Sequence, residues 1–350
     1  MASELHGKFL RANSDVLINS HGGVPHQPMH DLAHGSGSVA LSLETRPALT
    51  MSSTLGVLEL GTNSLKLHVY RPGEDRFASY KHEWEAGFEI YSSGSVSDST
   101  IEAILLDVRE LLDDLSFNPE DLFGVATGAF VEAENSAQLL KRIDRELSIP
   151  IRVLTGNEEA NLLIHGFGDL VKRRPTVILD LGGGRLKKVM VGESLNFDES
   201  LDLGIIKVQQ VGSFDASDWQ EETAARYIRE QLKNSRPGPF SPDVYATGGA
   251  VKAISQVAGT TTITREVLSE VESVARENRF PESLSERRRR VFLAGLLVVR
   301  HVLDHVGGER IHYHHFRLGD TLMLHLRPFY KTFGGKLRRA FIDREFELFS

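Results

Sequence analysis

A motif of acid, Leu and Gly followed by Leu-Lys occurs twice in this chain, at Glu59–Leu67 and again at Asp180–Lys188. Each copy follows an apolar run, as expected where a buried strand ends in a carboxylate and a glycine lets the backbone turn back as a second strand. The repetition predicts a duplicated unit. Two such turns that face each other would present backbone N–H groups between two carboxylates, an arrangement that holds phosphate groups and their metal ions.

The overall composition is that of a globular protein with enough residues for two domains. The chain has 350 residues, of which 41% are hydrophobic and 25% charged, both ordinary values for a folded soluble chain. Its net charge of −8 argues against a general nucleic-acid or membrane-surface binder, which is usually basic. Cysteine is absent, which excludes disulfides, a thiol nucleophile and Cys-ligated zinc and fits a reducing cytoplasm.

No segment predicts insertion into a membrane or export from the cell. The longest apolar run, Val291 to Val299, ends at Arg300 and is too short to cross a bilayer. The first residues contain no apolar stretch between basic and small-residue flanks, so we expect no signal peptide. We therefore expect a cytoplasmic protein.

Residues 1–50 differ from the rest of the chain because they are rich in Gly, His, Pro and Ser and show no apolar period. This composition predicts a disordered N-terminal extension. Met51 opens the first strand-like segment, so the extension could also reflect a misplaced start.

Beyond residue 50 the order of strand, hairpin and helix is given twice, which predicts two α/β domains with a cleft between them. We expect the domains at 51–172 and 173–350, with their junction near 170–175. We also expect a helix at 99–115 and one continuous helix at 284–305, from the helical spacing of their apolar residues.

Five segments, which include both copies of the repeated motif, occur in the order and at the spacing that resemble the exopolyphosphatase and guanosine pentaphosphate phosphohydrolase (Ppx/GppA) family. They are Glu59-Leu-Gly-Thr-Asn-Ser64, Ala126-Thr-Gly-Ala-Phe-Val-Glu-Ala133, Gly156-Asn-Glu-Glu-Ala160, Asp180-Leu-Gly-Gly-Gly-Arg-Leu-Lys187 and Ala246-Thr-Gly-Gly249. The match runs from about residue 55 to 325 and is similar to the short two-domain form of the family. It implies two actin-like ATPase (ribonuclease H-like) domains around an interdomain cleft.

The resemblance also implies roles for individual residues. Glu159, with Glu158 as the neighbouring candidate, would activate water for attack on a terminal phosphorus. Asp180, and Glu59 in the first copy, would lie by the metal or its waters. The glycine loops and the strand end would bind phosphate through Gly61, Thr62, Asn63, Ser64, Gly182, Gly183, Gly184, Gly248 and Gly249. From the residues alone, the two glutamates could equally be a helix first turn that complements the helix dipole.

Three positions differ from the pattern of the family. Lys187 stands where the family has a metal-binding glutamate, Val131 stands where it has a phosphate-gripping arginine, and Glu59 replaces an aspartate. An ammonium in place of a carboxylate repels a divalent cation by a few kcal/mol at ~4 Å. The family resemblance implies Mg²⁺, whereas Lys187 argues against metal binding of the usual type.

Three functions remain open at this point. Lys187 and Arg185, with Lys188 as a further candidate, could replace the metal as a phosphate clamp, and the protein would hydrolyse a phosphorylated small molecule, nucleotide or polyphosphate. Alternatively, catalysis is lost and the cleft binds such a ligand for regulation, or the fold serves a biosynthetic reaction. The resemblance is also compatible with a homodimer.

The basic run Arg287–Arg290 is expected to be a solvated helix start, with a wall of the anion-binding cleft as the alternative.

Overall fold

The computed structural model describes residues 54–344, apart from 72–76, 85, 116, 118–120, 172–174, 193–196, 214–217, 240–241 and 334–335. The predicted N-terminal extension, residues 1–50, lies outside these described residues.

Both copies of the repeated motif form an antiparallel hairpin, as predicted. The strands are β1 (Leu55–Gly61) and β2 (Ser64–Tyr70) in the first copy, and β6 (Thr176–Leu181) and β7 (Leu186–Val191) in the second. Their apolar residues are buried on both faces, which stabilises them as central strands. In each hairpin the acid lies opposite the lysine seven positions later, so that Glu59 pairs with Lys66 and Asp180 with Lys187.

Each hairpin is the centre of a mixed sheet, and the two sheets share one strand order. The first sheet adds β3 (Phe77–Glu83), β4 (Leu122–Ala126) and β5 (Ile151–Val153), in the order β3-β2-β1-β4-β5. The second adds β8 (Phe197–Leu201), β9 (Asp243–Thr247), β10 (Thr262–Thr264) and β11 (Arg310–Tyr313), in the order β10-β11-β9-β6-β7-β8. Without the additional β10, the second sheet reads β8-β7-β6-β9-β11, which repeats the first. The duplication is therefore a duplication of topology.

The first half contains five helices in its described residues; the first four lie between strands of the first sheet in the chain, and the fifth packs against Ile178 and Val189 of the second sheet. They are α1 (Ala86–Ser93), α2 (Asp98–Asp114), α3 (Ala129–Glu132), α4 (Ser136–Leu147) and α5 (Gly156–Phe167), followed by a 3₁₀ turn at Gly168–Val171. The predicted helix at 99–115 is α2, whose first turn is capped by the hydroxyl of Ser97.

The second half contains eight helices in its described residues. They are α6 (Ile205–Gly212), α7 (Glu221–Leu232), α8 (Gly249–Ala258), α9 (Arg265–Arg276), α10 (Glu286–Arg290), α11 (Phe292–His305), α12 (Leu318–Phe333) and α13 (Leu337–Ile342). The expectation of one helix at 284–305 is wrong, because Val291 adopts φ −102° and ψ 8° and separates α10 from α11. These angles leave the helical region, so the last helical bonds of α10 are not continued.

The last two helices return to the first sheet. Leu322, Met323 and Leu326 of α12 and Phe341 of α13 share a buried cluster with strands β1 and β4. Phe341 packs against Phe123 with ring centroids 4.5 Å apart. The two ends of the described chain are thereby joined in one core.

The predicted junction at 170–175 includes residues 172–174, which lie outside the described residues, so the division at 172/173 stays a prediction. No helix in the described part of the chain is long and apolar enough to cross a membrane.

Candidate active site in the cleft between the two sheets

One cavity of about 480 Å³ lies between the two repeated hairpins and is lined by both halves of the chain. Nearly all of the residues singled out in the sequence line it. These are Gly61, Thr62, Asn63, Ser64, Glu159, Asp180, Gly182, Gly183, Gly184, Arg185, Lys187, Gly248 and Gly249. Glu158 and Glu59 are not among the lining residues.

The first glycine turn is fixed from two sides. The hydroxyl of Thr62 accepts a hydrogen bond from the backbone N–H of Ala129 at 3.1 Å, and the carbonyl of Thr62 accepts one from Gly87 at 3.1 Å. Gly87 has no room for a side chain, because an added Cβ would lie 2.4 Å from the methyl group of Thr62. The N-terminus of α1, which the sequence did not predict as a helix, therefore supports the turn.

The second glycine turn meets the first directly. A Cβ on Gly183 would lie 2.7 Å from the amide nitrogen of Asn63, so the two turns touch at this glycine. The turn closes through the N–H of Gly182, which donates to the carbonyl of Arg185 at 3.0 Å. The backbone of both turns therefore faces the same cavity, as the repeat predicted.

Glu159 and Asp180 are carboxyl groups of the cavity lining whose pKa is raised. Burial, opposed in part by Lys187, raises the pKa of Glu159 to about 7. Burial also raises the pKa of Asp180 to about 6, against the attraction of Lys66. Asp180 forms no hydrogen bond or ion pair with any residue that the structure describes. A carboxyl group with a pKa near neutrality is suited to accept a proton during catalysis.

Glu158 has a different environment from its neighbour. Its carboxylate caps the first turn of α5 by accepting from the N–H of Thr155 at 2.8 Å, in a capping box. It also pairs with Arg152 and with Arg344. These contacts direct Glu158 away from the cavity and give it a structural environment, while Glu159 faces the cleft.

Glu59 is committed to protein partners. Its carboxylate pairs with Lys66 and lies 3.2 Å from Nε2 of His68. Burial acts to raise the pKa of Glu59, but Lys66 and His68 outweigh it and hold the pKa well below its usual range. Glu59 therefore anchors the lysine opposite it.

The three basic residues of the second copy point to three different places. Lys187 donates to the carbonyl of Gly156 at 2.9 Å and lies 3.6 Å from Glu159. Arg185 lines the cavity and pairs with Glu132. Lys188 is fully buried on the other face of the strand, where it bonds Ser235 at 2.7 Å and pairs with Glu199. The suggestion that Lys188 belongs to the phosphate clamp is therefore wrong, because alternate residues of β7 face opposite sides of the sheet.

Sequence reasoning missed Lys66 and Lys81 as cations of the cleft, and it gave the basic run that contains Arg287 a place there only as an alternative. Lys66 lines the cavity from the first hairpin, and its place in the repeat, equivalent to Lys187, could have indicated it. Arg287 also lines the cavity and donates to the carbonyl of Asn63 at 3.1 Å and to that of Trp84. It lies 2.9 Å from Glu83. The prediction that this basic run is only solvated is wrong for Arg287, and the cleft-wall alternative is right.

The carboxylates of the cleft do not form the set of ligands that a Mg²⁺ ion prefers. Glu59 is paired with Lys66 and Glu159 with Lys187, while the side chain of Asp180 forms no ion pair within the described part of the chain. Among the described residues no group of three or more His, Asp or Glu side chains is placed to hold a metal ion. Mg²⁺ binds oxygen ligands in octahedral geometry, and two ammonium groups beside the acids oppose it.

Two mixed sheets of the same order, with a glycine hairpin of each facing a shared cavity, define an actin-like ATPase fold. Within this class the chain belongs to the Ppx/GppA phosphatase family, whose pattern it matches over residues 96–320. The assignment by resemblance is thus confirmed, as is the fold.

Relatives and solved structures agree with this assignment. Exopolyphosphatase 1 of Mycobacterium bovis is 28% identical over 194 residues, which are 53% of this chain and 50% of the relative. Exopolyphosphatase 1 of Mycobacterium leprae is 30% identical over 142 residues, 38% of this chain and 41% of the relative. This chain therefore spans half or less of the length of these curated relatives.

Among solved structures, an exopolyphosphatase-like protein superposes with a TM-score of 0.67 at 21% identity, covering 79% of this chain and 98% of the other. An exopolyphosphatase from Cytophaga hutchinsonii gives 0.64 at 18% identity, with coverage of 79% and 98%. The Ppx/GppA phosphatase of Aquifex aeolicus gives 0.57 at 17%, with coverage of 77% and 98%. At these identities the likeness concerns the fold.

Proposed function

We propose that this protein hydrolyses a phosphoanhydride or phosphoester bond of a phosphorylated compound held in the cleft between the two glycine turns. The observation that carries the proposal is the position of Glu159. Its carboxyl group has a pKa raised to about 7 and lies 3.6 Å from the ammonium of Lys187, in a cavity lined by both glycine turns. Family membership supports phosphoanhydride hydrolysis as the reaction class.

The cleft offers several groups to a phosphate. Lys66, Lys187 and Arg185 line the cavity, and the backbone of the Gly61 and Gly183 turns adds N–H donors. Ammonium groups are good point-charge partners for phosphate oxygens. Val131 stands at the position where the family has a phosphate-binding arginine. Arg185, in the second glycine turn, takes over this role.

The reaction follows from this arrangement. Glu159 accepts a proton from a water molecule as the water oxygen forms a bond to the terminal phosphorus. The bond from phosphorus to the leaving oxygen breaks, and that oxygen finally takes up a proton. Phosphoryl transfer depends mainly on orientation of the nucleophile and on neutralisation of developing charge. The lysines supply the second of these requirements here.

The requirement for a metal separates two forms of this proposal. Family enzymes are generally dependent on a divalent metal, which makes Mg²⁺ an ion to test. The lysines beside Glu59 and Glu159 favour an anion held directly by ammonium groups. We therefore expect hydrolysis that does not require Mg²⁺.

A regulatory binding protein is the second candidate function. The ion pair between Lys187 and Glu159 favours it, because a base held by a cation is a weaker proton acceptor. In this case the cleft would bind a nucleotide or polyphosphate without turnover.

Release of inorganic phosphate from polyphosphate, guanosine pentaphosphate and nucleoside triphosphates, with Mg²⁺ and with EDTA, tests both candidates. Turnover that is retained in EDTA and lost in Glu159→Gln supports the lysine-dependent hydrolase. Glu270→Gln on the exposed face of α9 is the matched control and should keep full activity. No turnover, with thermal stabilisation by one compound, favours the binding protein, and activity only with Mg²⁺ contradicts the metal-independent form.

A further inference from the structure

A continuous line of polar contacts runs from helix α12 through the first sheet to the cleft. Asp320 of α12 lies 2.9 Å from Nδ1 of His68, and Nε2 of His68 lies 3.2 Å from Glu59. Glu59 in turn pairs with Lys66, which lines the cavity. The side chain of His68 is 0% exposed, so its two ring nitrogens have no access to water.

The line is held in one geometry. Ser79 of β3 lies 3.1 Å from both Nδ1 of His68 and a carboxylate oxygen of Asp320, and its hydroxyl donates to Asp320. Helix α12 approaches the ring closely at Gly319, where an added Cβ would lie 2.1 Å from two atoms of His68. Both ring nitrogens thus face carboxylates. Burial acts to lower the pKa of His68, but Asp320 and Glu59 outweigh it and raise the pKa, which favours the form of the ring that donates to both carboxylates.

These residues do not form a nucleophilic triad. In a catalytic triad, the histidine contacts the serine hydroxyl with one ring nitrogen and the carboxylate with the other. Here Ser79 and Asp320 both contact Nδ1 of His68. Ser79, His68 and Asp320 are also absent from the cavity lining. Their effect on the cleft must pass through Glu59 and Lys66.

The second hairpin shows what happens without this line of contacts. The position equivalent to His68 in the repeat is Val189, a buried apolar residue. There the acid Asp180 does not hold its lysine, and Lys187 turns to Gly156 and Glu159. The presence of His68 coincides with a lysine that is held against its opposite acid.

Resting on the proposed function, we propose that Asp320 and His68 are positioning residues that fix the carboxylate of Glu59 and thereby place the ammonium of Lys66 at the cleft wall to bind a substrate phosphate. Asp320, in the first turn of α12, thus acts on the binding site without itself lining the cavity. An ammonium held by a fixed carboxylate loses less side-chain entropy when the phosphate binds.

A double-mutant cycle with tripolyphosphate as substrate tests this inference. Lys66→Met should raise KM about tenfold with kcat changed less than about twofold, because a contact made equally in ground and transition state affects binding. Asp320→Asn should raise KM about fivefold, and it should add nothing in the Lys66→Met background. Asp320→Glu keeps a carboxylate and should restore part of the loss, while Asp343→Asn, an exposed control, should have no effect.

Additive effects on KM in the double mutant would overturn the inference, since Asp320 would then act independently of Lys66. A fall in thermal stability alone, with unchanged KM, would likewise reduce Asp320 to a packing role.

A second measurement does not depend on activity. Reductive methylation with ¹³C-formaldehyde labels lysine side chains, and the signal missing in Lys66→Met identifies Lys66. We expect this signal to shift in Asp320→Asn and in His68→Gln, and to stay unchanged in Asp343→Asn. If the wild type neither hydrolyses nor binds tripolyphosphate, the proposed function fails. The shift of the Lys66 signal then still decides whether the line of contacts positions this lysine, and an unchanged signal contradicts it.

Discussion

The ammonium of Lys187 lies 3.6 Å from the carboxylate of Glu159 and donates a hydrogen bond to the carbonyl of Gly156 in the same helix turn. This lysine stands opposite Asp180 in the hairpin register, yet its ammonium group is directed at the first turn of α5. The contact joins the second glycine turn to the N-terminus of α5. It places a cation of the cavity lining beside the proposed base.

Activity should depend on the ionisation of Glu159. A base must be deprotonated, so kcat should rise with pH through about 7, the value to which burial raises the pKa of Glu159. Glu159→Gln should lower kcat by at least about 100-fold with little loss of stability. Phosphate release between pH 5 and 9 provides the measurement. Full activity in this variant would remove Glu159 as the base.

Removal of the neighbouring cation should move the same pH profile. Lys187 lowers the pKa of Glu159 against the effect of burial, so Lys187→Met should raise that pKa and shift the rise of kcat to higher pH. The variant should also raise KM, because an ammonium is lost from the phosphate site. A profile that stays in place would show that Lys187 does not act on Glu159.

Charge reversal at Lys187 should change the response to metal. Lys187→Glu places a third carboxylate beside Asp180 and Glu159, and such a set of oxygens suits Mg²⁺. We expect Mg²⁺ to stabilise this variant thermally by several degrees and to leave the wild type unchanged. Lys233→Glu at the C-cap of α7, where the lysine is 63% exposed, is the control for charge alone. An equal response of the wild type to Mg²⁺ would contradict the lysine-held site.

The parts of the molecule that sequence predicts are those whose signals are local. Each apolar strand that leads into the turn at Gly61 or Gly182 predicts a hairpin. Because the same pattern occurs twice, it also predicts two sheets with the same strand order. Glu159 was placed by a motif at a helix start. The repeat also contains a signal for Lys66, because the acid and the lysine seven positions later lie opposite each other in both hairpins.

The remainder depends on contacts between distant residues. His68 and Asp320 are 252 positions apart in the chain, and neither carries a signal of its own. Arg287 lies in a basic run typical of a solvated surface, but the close approach of α10 to the first turn brings it to Asn63. The packing of α12 on the first sheet brings Asp320 to His68, and the apolar periodicity of a helix does not show which sheet the helix covers.

Substitution of Glu158 should lower stability, whereas substitution of Glu159 should lower activity. Glu158→Gln keeps a side chain that can cap the helix but removes the charge that pairs with Arg152, whose side chain is 3% exposed. Loss of one partner of a buried pair costs about 3 kcal/mol. We expect lower stability in urea with kcat within about twofold of wild type. A large loss of kcat in a folded Glu158→Gln variant would contradict the structural role.

Asp180 should make the folded protein less stable as pH rises. Burial raises the pKa of Asp180 from its ordinary value of 3.8 to about 6 in the folded chain, so the folded state binds the proton more tightly. The contribution of Asp180 to stability therefore falls as pH increases from about 4 to about 6 and is constant above this range. Asp180→Asn removes that dependence and should gain on the order of 1–2 kcal/mol at pH 8, less than the full shift because water reaches the cleft.

The gain from Asp180→Asn should shrink as the pH is lowered toward 4, where the wild-type carboxyl group is itself protonated. Urea denaturation at pH 4.5, 6 and 8 measures this trend, with Asp343→Asn as the exposed control. An equal gain at every pH would assign the effect to packing. A variant that is less stable than wild type at pH 8 would mean that the carboxylate stabilises the cleft through Lys66, and that burial does not dominate its ionisation.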